Sequence, residues 1–217
     1  MQRRHALKHC ARVATLRAAV CALPLLAATV SLQAQAAAEV GARAPDFAAT
    51  DVAGKRVALS DFKGKFVVLE WVNPGCPYVR KHYDSGSMPA TQKDAVAKGF
   101  VWLAINSTEA GSGDYLKPAE LSGWLSARQT AATHVLMDEP GVIGQAYGAR
   151  TTPHMYIINP QGVLVYAGGI DSIATARVED LPKAVNYVRQ TVAELHKGQP
   201  VSQPLTRAYG CSIKYKS

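Results

Sequence analysis

The stretch FVVLEWVNPGCPYV, residues 66–79, limits the fold more than any other part of the chain. Its first half is a run of β-branched and apolar residues, typical of a strand that is buried on both faces in the centre of a sheet. Its second half places Cys76 directly before Pro77. Proline suits the first turn of a helix, because the N–H that it lacks has no partner there. A central strand that leads into a cysteine-capped helix predicts an α/β protein.

Strand and helix patterns alternate along the rest of the chain, as expected for α/β proteins. A short hairpin precedes the central strand, and an antiparallel hairpin with the turn NPQG follows near residue 159. The last helix is predicted over about residues 181–197, with apolar residues near one face. Together these elements predict a central mixed sheet flanked by helices. The apolar residues on the last helix are Val185, Val188, Val192 and Leu195.

The first 36 residues have the features of a cleaved secretory signal peptide. Five basic residues precede the apolar run Ala18–Val30 and a stretch of small residues. That run is short of the roughly 20 residues needed to span a membrane, and Pro24 interrupts it. We therefore predict a periplasmic or secreted protein that is not inserted in the membrane after cleavage. Its folded domain would cover residues 37–198, and a tail would cover residues 199–217.

The leader changes the charge and the cysteine arguments. The whole chain has 24 Lys and Arg against 16 Asp and Glu, and five of the basic residues lie in the leader. No basic cluster with interleaved aromatic residues remains, which argues against a nucleic-acid partner. Of the four cysteines, Cys10 and Cys21 lie in the leader. Cys76 and Cys211 remain, and an oxidising compartment allows them to pair.

The order of elements over Ala44–His196 resembles the thioredoxin fold of secreted redoxins. More specifically, it resembles the alkyl hydroperoxide reductase / thiol-specific antioxidant group and its thiol-disulfide oxidoreductase relatives. The stretch GARTTPHMYII is similar to the loop whose cis-proline faces the active cysteine, so the resemblance gives that role to Pro153. It implies substrate contacts for Pro77, Thr152 and Pro153, and a redox activity that needs no cofactor.

The chain departs from its relatives at three positions. Val79 stands where a CxxC motif has its second cysteine, so the protein does not resemble a standard two-cysteine thioredoxin. Peroxiredoxins place Thr three residues and Pro seven residues before the active cysteine, and here those residues are Asn73 and Leu69. The resemblance therefore leaves both a peroxide and a disulfide open as substrates.

Cys76 is the predicted nucleophile. A thiolate is the attacking species in both reactions, and a helix N-terminus offers unpaired N–H groups and partial positive charge that stabilise it. Arg80 and Lys81 follow within about one turn and would add positive charge. The alternative is an inert cysteine that only fills the core.

Glu70 lies six residues before Cys76, where thioredoxins keep a buried acid. An acid on a strand buried on both faces is either desolvated or points to an end of the sheet. Desolvation would raise its pKa and make it a catalytic proton carrier between the cysteine and solvent. The alternative is an edge-facing residue in a surface salt bridge.

Cys211 is the candidate resolving cysteine. If the tail folds back over the end of the sheet, its thiol can attack an oxidised or disulfide-bonded Cys76. We therefore predict a thiol-dependent oxidoreductase, reduced in turn by a thiol donor such as a periplasmic thioredoxin-like protein. The alternative is a non-catalytic binding module or copper chaperone with a structural Cys76–Cys211 disulfide. Secreted copper-delivery proteins of similar fold combine two nearby cysteine thiolates with a distant histidine, whereas this chain has one cysteine at that place. The candidate histidines are His82, His134 and His154.

Overall fold

A computed structural model describes residues 37–216. The predicted leader lies outside these residues, and its cleavage stays a prediction. Within them the chain forms the following strands: β1 Ala48–Asp51, β2 Arg56–Ala58, β3 Val67–Trp71, β4 Val101–Asn106, β5 His134–Met137, β6 Thr151–Thr152, β7 His154–Ile158, β8 Leu164–Gly168 and β9 Cys211–Ser212. The helices are α1 Pro77–Asp84, α2 Ser87–Ala97, α3 Pro118–Ala127, α4 Val142–Tyr147 and α5 Tyr187–His196, with 3₁₀ turns over Leu59–Phe62 and Val178–Lys183.

The main sheet is mixed and has the strand order β2-β1-β5-β4-β3-β7-β8. β3 lies inside it, parallel to β4 and antiparallel to β7, and all five of its residues are buried. Alternate residues of β3 enter separate cores: Val68 packs with α1, α2, α3 and α5, whereas Leu69 packs with α4 on the other face. The prediction of a central strand buried on both faces is confirmed.

The N-terminal hairpin is also confirmed. β1 and β2 pair as antiparallel strands. β1 also pairs with β5, which places the hairpin at one edge of the sheet. The order of strand, cysteine-led helix, parallel strands, proline loop, antiparallel hairpin and helix is that of a thioredoxin-like fold with a hairpin extension. The predicted fold class is therefore correct.

The last helix begins later than predicted. α5 starts at Tyr187, and Pro182 lies in the 3₁₀ turn before it. Proline cannot donate to a carbonyl four residues back and disfavours helical geometry in the residue before it. The Asn186 side chain then accepts from the Arg189 N–H at 2.9 Å and begins a new helix. Val185 is consequently half exposed rather than part of the buried face.

The tail is ordered against the domain. Its backbone bonds to β8, where the Ala167 N–H donates to the Pro204 carbonyl at 3.0 Å and the Thr206 N–H donates to the Ala167 carbonyl at 3.1 Å. Further along, β9 pairs with β6, and the Glu109 N–H donates to the Lys214 carbonyl at 2.9 Å. The two-stranded β6–β9 sheet was not predicted from the sequence. It brings the tail to the end of the main sheet where α1 begins.

No helix among residues 37–216 has both the length and the apolar character required to cross a membrane.

Candidate active site

Cys76 caps the N-terminus of α1, with Pro77 as the first helical residue. The loop from β3 is fixed by Asn73, whose side-chain oxygen accepts from the Gly75 N–H at 2.7 Å and whose amide donates to Thr108 Oγ1 at 2.8 Å. The Cys76 residue is only 2% exposed. Asn73 is a site residue that the sequence indicated only as a departure from peroxiredoxins. Its position before Pro-Gly, where asparagine commonly stabilises a turn, was the available signal.

The proline loop meets the cysteine directly. The Thr152–Pro153 peptide bond is cis, as predicted. Cys76 Sγ donates to the Thr152 carbonyl oxygen at 3.0 Å. The structure therefore brings Cys76, Pro77, Thr152 and Pro153 together, as the resemblance implied.

Cys211 lies beside this contact. In the antiparallel β6–β9 pair, Cys211 is the residue opposite Thr152. Cys76, Cys211 and Asp114 line one small cavity of about 30 Å³. Both cysteines are free thiols. The fold-back of the tail that the resolving role requires is thus present in the structure.

The electrostatic surroundings of Cys211 keep it protonated at neutral pH. Burial, followed by the neighbouring Cys76 thiol and the Asp114 carboxylate, raises the pKa of the Cys211 thiol to about 12, while Lys214 acts in the opposite direction. A protonated thiol is a poor nucleophile. Cys211 is therefore held in its less reactive, protonated form.

Gly210 permits the close approach of the tail. Its φ is 138°, in the region that favours glycine, and a Cβ atom there would lie 2.0 Å from the Thr152 carbonyl oxygen. Any other residue at this position would push β9 away from β6. The glycine directly before Cys211 is therefore required by the space available at Thr152.

The charges expected near the helix N-terminus are only partly there. The Arg80 Nε–H donates to the Pro74 carbonyl at 2.7 Å, so Arg80 folds back onto the active-site loop. Lys81 instead points into the protein, where its Nζ lies 3.2 Å from Asp171 Oδ2. Its charge is compensated by Asp171, and the prediction that Lys81 contributes free positive charge at this helix end is wrong.

Glu70 is desolvated, and the edge-facing alternative is wrong. Its carboxylate is fully buried and accepts hydrogen bonds from Tyr83 OH at 2.8 Å, Trp102 Nε1 at 2.8 Å and Gln92 Nε2 at 3.0 Å. Burial raises the pKa of Glu70 to about 7, and the three donors oppose the shift. Cys76 is not among its hydrogen-bond partners in the described structure.

The raised pKa predicts a pH-dependent penalty from Glu70. Unfolding returns the carboxyl to a pKa near 4.5, so the folded protein holds the proton more tightly between pH 4.5 and 7. Stability from this group is complete below pH 4.5 and falls by about 3 kcal/mol as the pH rises to 7. We expect the free energy of unfolding of wild type, minus that of Glu70→Gln, to fall by about this amount over the range. Urea denaturation at stepped pH measures it.

Glu179→Gln makes the same substitution at an exposed position and is the matched control. A Glu70→Gln difference that changes with pH no more than that of the control would show that the pKa of Glu70 is not raised.

The three histidines lie in separate surroundings. His82 is buried next to Tyr209 and Asp171. His134 Nδ1 lies 3.1 Å from Asp51, and His154 Nδ1 accepts from the Arg150 N–H at 3.3 Å. Among residues 37–216, no group of three or more His, Cys, Asp or Glu side chains is placed to hold a metal ion.

Two thiols beside a cis-proline, at the helix end of a mixed sheet, define a thioredoxin-fold redoxin. The family model described as the AhpC/TSA family matches residues 40–167. The chain therefore belongs to the AhpC/TSA family of thiol-dependent oxidoreductases.

Individual proteins resemble this chain in sequence or in fold. The thiol-disulfide oxidoreductase ResA of Bacillus thuringiensis subsp. konkukian is 27% identical over 129 residues, which are 58% of this chain and 68% of that protein. A crystal structure of an uncharacterized conserved protein from Geobacillus kaustophilus has a TM-score of 0.69 and 28% identity, and covers 82% of this chain and 93% of its own. A hypothetical protein from Sinorhizobium meliloti 1021 shares the fold with a TM-score of 0.70 at 23% identity, over 84% of this chain and 97% of its own.

Proposed function

We propose that this protein is an extracytoplasmic thiol-disulfide oxidoreductase in which Cys76 is the attacking thiol and Cys211 the resolving thiol. The observation that carries the proposal is the placement of both thiols on one small cavity, with Cys211 opposite the residue that accepts from Cys76 Sγ. The ResA relative, named a thiol-disulfide oxidoreductase, supports the reaction class. The leader-like first 36 residues support the location.

The reaction transfers two electrons from the cysteine pair to the substrate. The Cys76 thiolate attacks a substrate disulfide, forms a mixed disulfide and releases the first substrate sulfur as a thiolate, which takes up a proton. Cys211 then loses its proton and attacks Cys76 Sγ, which breaks the mixed disulfide and releases the second substrate thiol. An external dithiol, such as a thioredoxin-like donor, reduces the Cys76–Cys211 disulfide and restores the pair.

The size of the cavity favours a small oxidant as a second candidate substrate. A volume of about 30 Å³ has room for a water-sized molecule, since a cavity needs about 10–15 Å³ to hold one. A peroxide would convert the Cys76 thiolate to a sulfenic acid, with its second oxygen leaving as water after protonation. Cys211 would then displace the sulfenic oxygen as a second water and form the same disulfide.

A bulky substrate has to displace the tail. β9 pairs with the backbone of β6, so the tail covers Thr152 and the cis-Pro153. Pro77, Thr152 and Pro153 contact a protein substrate in the proposal only after β9 moves aside.

Glu70 remains a proposed proton carrier, supported by its raised pKa of about 7.

The test is a redox titration of the purified protein in glutathione buffers, followed by intact mass after alkylation. We expect one reversible intramolecular disulfide between Cys76 and Cys211, with a reduction potential above about −300 mV. Hydrogen peroxide in place of glutathione disulfide tests the small oxidant, and should give the same disulfide. A potential below about −300 mV would favour the structural bridge of a non-catalytic module.

A further inference from the structure

A buried polar cluster joins the helix that carries Cys76 to the tail that carries Cys211. It consists of Lys81 and His82 on α1, Asp171 after β8, and Tyr209 two residues before Cys211. Lys81 Nζ lies 3.2 Å from Asp171 Oδ2, and Tyr209 OH donates to Asp171 Oδ1 at 2.5 Å. All four residues are buried. This Lys81–His82–Asp171–Tyr209 cluster is therefore a direct link between the two redox-active elements.

Asp171 is a fixed acceptor in this cluster. Its Oδ1 also accepts from the Ile173 N–H at 2.9 Å, and Lys81 Nζ donates to the Ile173 carbonyl at 3.2 Å. Burial lowers the pKa of His82 to about 4, so His82 is neutral at physiological pH. Lys81 alone supplies the positive charge that compensates the Asp171 carboxylate. The Tyr209 hydroxyl therefore donates to a carboxylate that Lys81 and the Ile173 N–H also hold.

Tyr209 lies where the tail enters β9. Its ring packs edge-on against Tyr78 of α1, with the ring centroids 5.7 Å apart. The next residue, Gly210, passes against the Thr152 carbonyl, and Cys211 follows at once. A side chain held two residues before a thiol limits the positions that the thiol can take.

We propose that Tyr209 is a positioning residue for Cys211. Its hydrogen bond to Asp171 holds the start of β9 in place and raises the effective concentration of the Cys211 thiol at Cys76. The inference rests on the proposed function, because it requires that the two cysteines form a disulfide. It assigns to the buried cluster a role in the redox equilibrium and in the rate of the resolving step.

The variant Tyr209→Phe removes the hydroxyl and keeps the ring that packs on Tyr78. In glutathione buffers we expect the equilibrium constant for forming the Cys76–Cys211 disulfide to fall about tenfold. For this two-electron couple the change corresponds to a reduction potential about 30 mV less negative. Rapid-quench mass spectrometry with glutathione disulfide should show a mixed disulfide on Cys76 that lasts about tenfold longer.

Tyr147→Phe is the matched control. It removes another buried tyrosine hydroxyl, which donates to the Pro45 carbonyl at 2.7 Å in the core on the opposite face of the sheet. A potential that is unchanged in Tyr209→Phe, or equally shifted in Tyr147→Phe, would overturn the positioning role while leaving the proposed function intact. A wild-type protein that forms no Cys76–Cys211 disulfide would overturn the proposed function and this inference with it.

Discussion

Cys76→Ser is expected to abolish disulfide exchange, whereas Cys211→Ser keeps the first attack and stops the reaction at the mixed disulfide. A serine hydroxyl is a far weaker nucleophile than a thiolate, so the rate with Cys76→Ser should drop by at least about a hundredfold, to that of the reaction without protein. In Cys211→Ser the substrate stays bonded to Cys76, because no second thiol lies in the cavity to release it. The two variants therefore differ in their products, not only in their rates.

Intact mass spectrometry with glutathione disulfide separates these outcomes. Cys211→Ser should accumulate one glutathione adduct per chain, Cys76→Ser should show none, and wild type should show an adduct only transiently. Ser212→Ala is the control, since it changes the exposed neighbour of Cys211 on β9 and leaves both thiols in place. An adduct that forms on Cys211 in Cys76→Ser at the wild-type rate would reverse the order of attack.

Lys81→Met should cost the protein a large part of its stability. The change leaves the Asp171 carboxylate buried without its cation, and breaking one side of a buried ion pair costs about 3–5 kcal/mol. Since domains are stable by about 5–15 kcal/mol, a loss of this size would bring the protein close to unfolding. Urea denaturation of the variant and of wild type at pH 7 measures the difference directly.

Lys98→Met provides the comparison for an exposed pair. Lys98, the C-cap residue of α2, pairs with Asp94 of that helix, and both side chains are partly exposed. Exposed pairs contribute about 0–1 kcal/mol, so this variant should stay within that range. If Lys81→Met were no more destabilised than Lys98→Met, Asp171 would have other compensation in the folded state, and the buried pair would not support the tail.

The active-site loop was predictable because its signals are local. A β-branched run followed by Cys76 and Pro77 specifies a buried strand and the first turn of a helix through the backbone properties of a few adjacent residues. The cis-proline loop followed from a resemblance in a short stretch. The late start of α5 was missed because Pro182 and Asn186 outweigh an apolar periodicity that continues through them.

Local patterns could not place groups that depend on partners far along the chain. Glu70 is buried among Tyr83, Gln92 and Trp102, and the strand pattern could only leave its two alternatives open. Lys81 and His82 lie on a short helix whose sequence does not show that Asp171 faces them 90 and 89 residues later. The charge of Lys81 was therefore wrongly expected to act on the Cys76 thiol.

The sequence by itself determined the central strand, the cysteine at the N-terminus of α1 and the presence of a second thiol in the tail. Only the tertiary structure decided that this second thiol reaches the first, because the tail is held by backbone bonds to β6 and β8 and by the buried bond from Tyr209 to Asp171. Strand and helix periods arise from neighbours along the chain, whereas these contacts join residues that the fold brings together. For the same reason the sequence could predict Cys76 as the nucleophile, whereas only the fold could place Cys211 beside it.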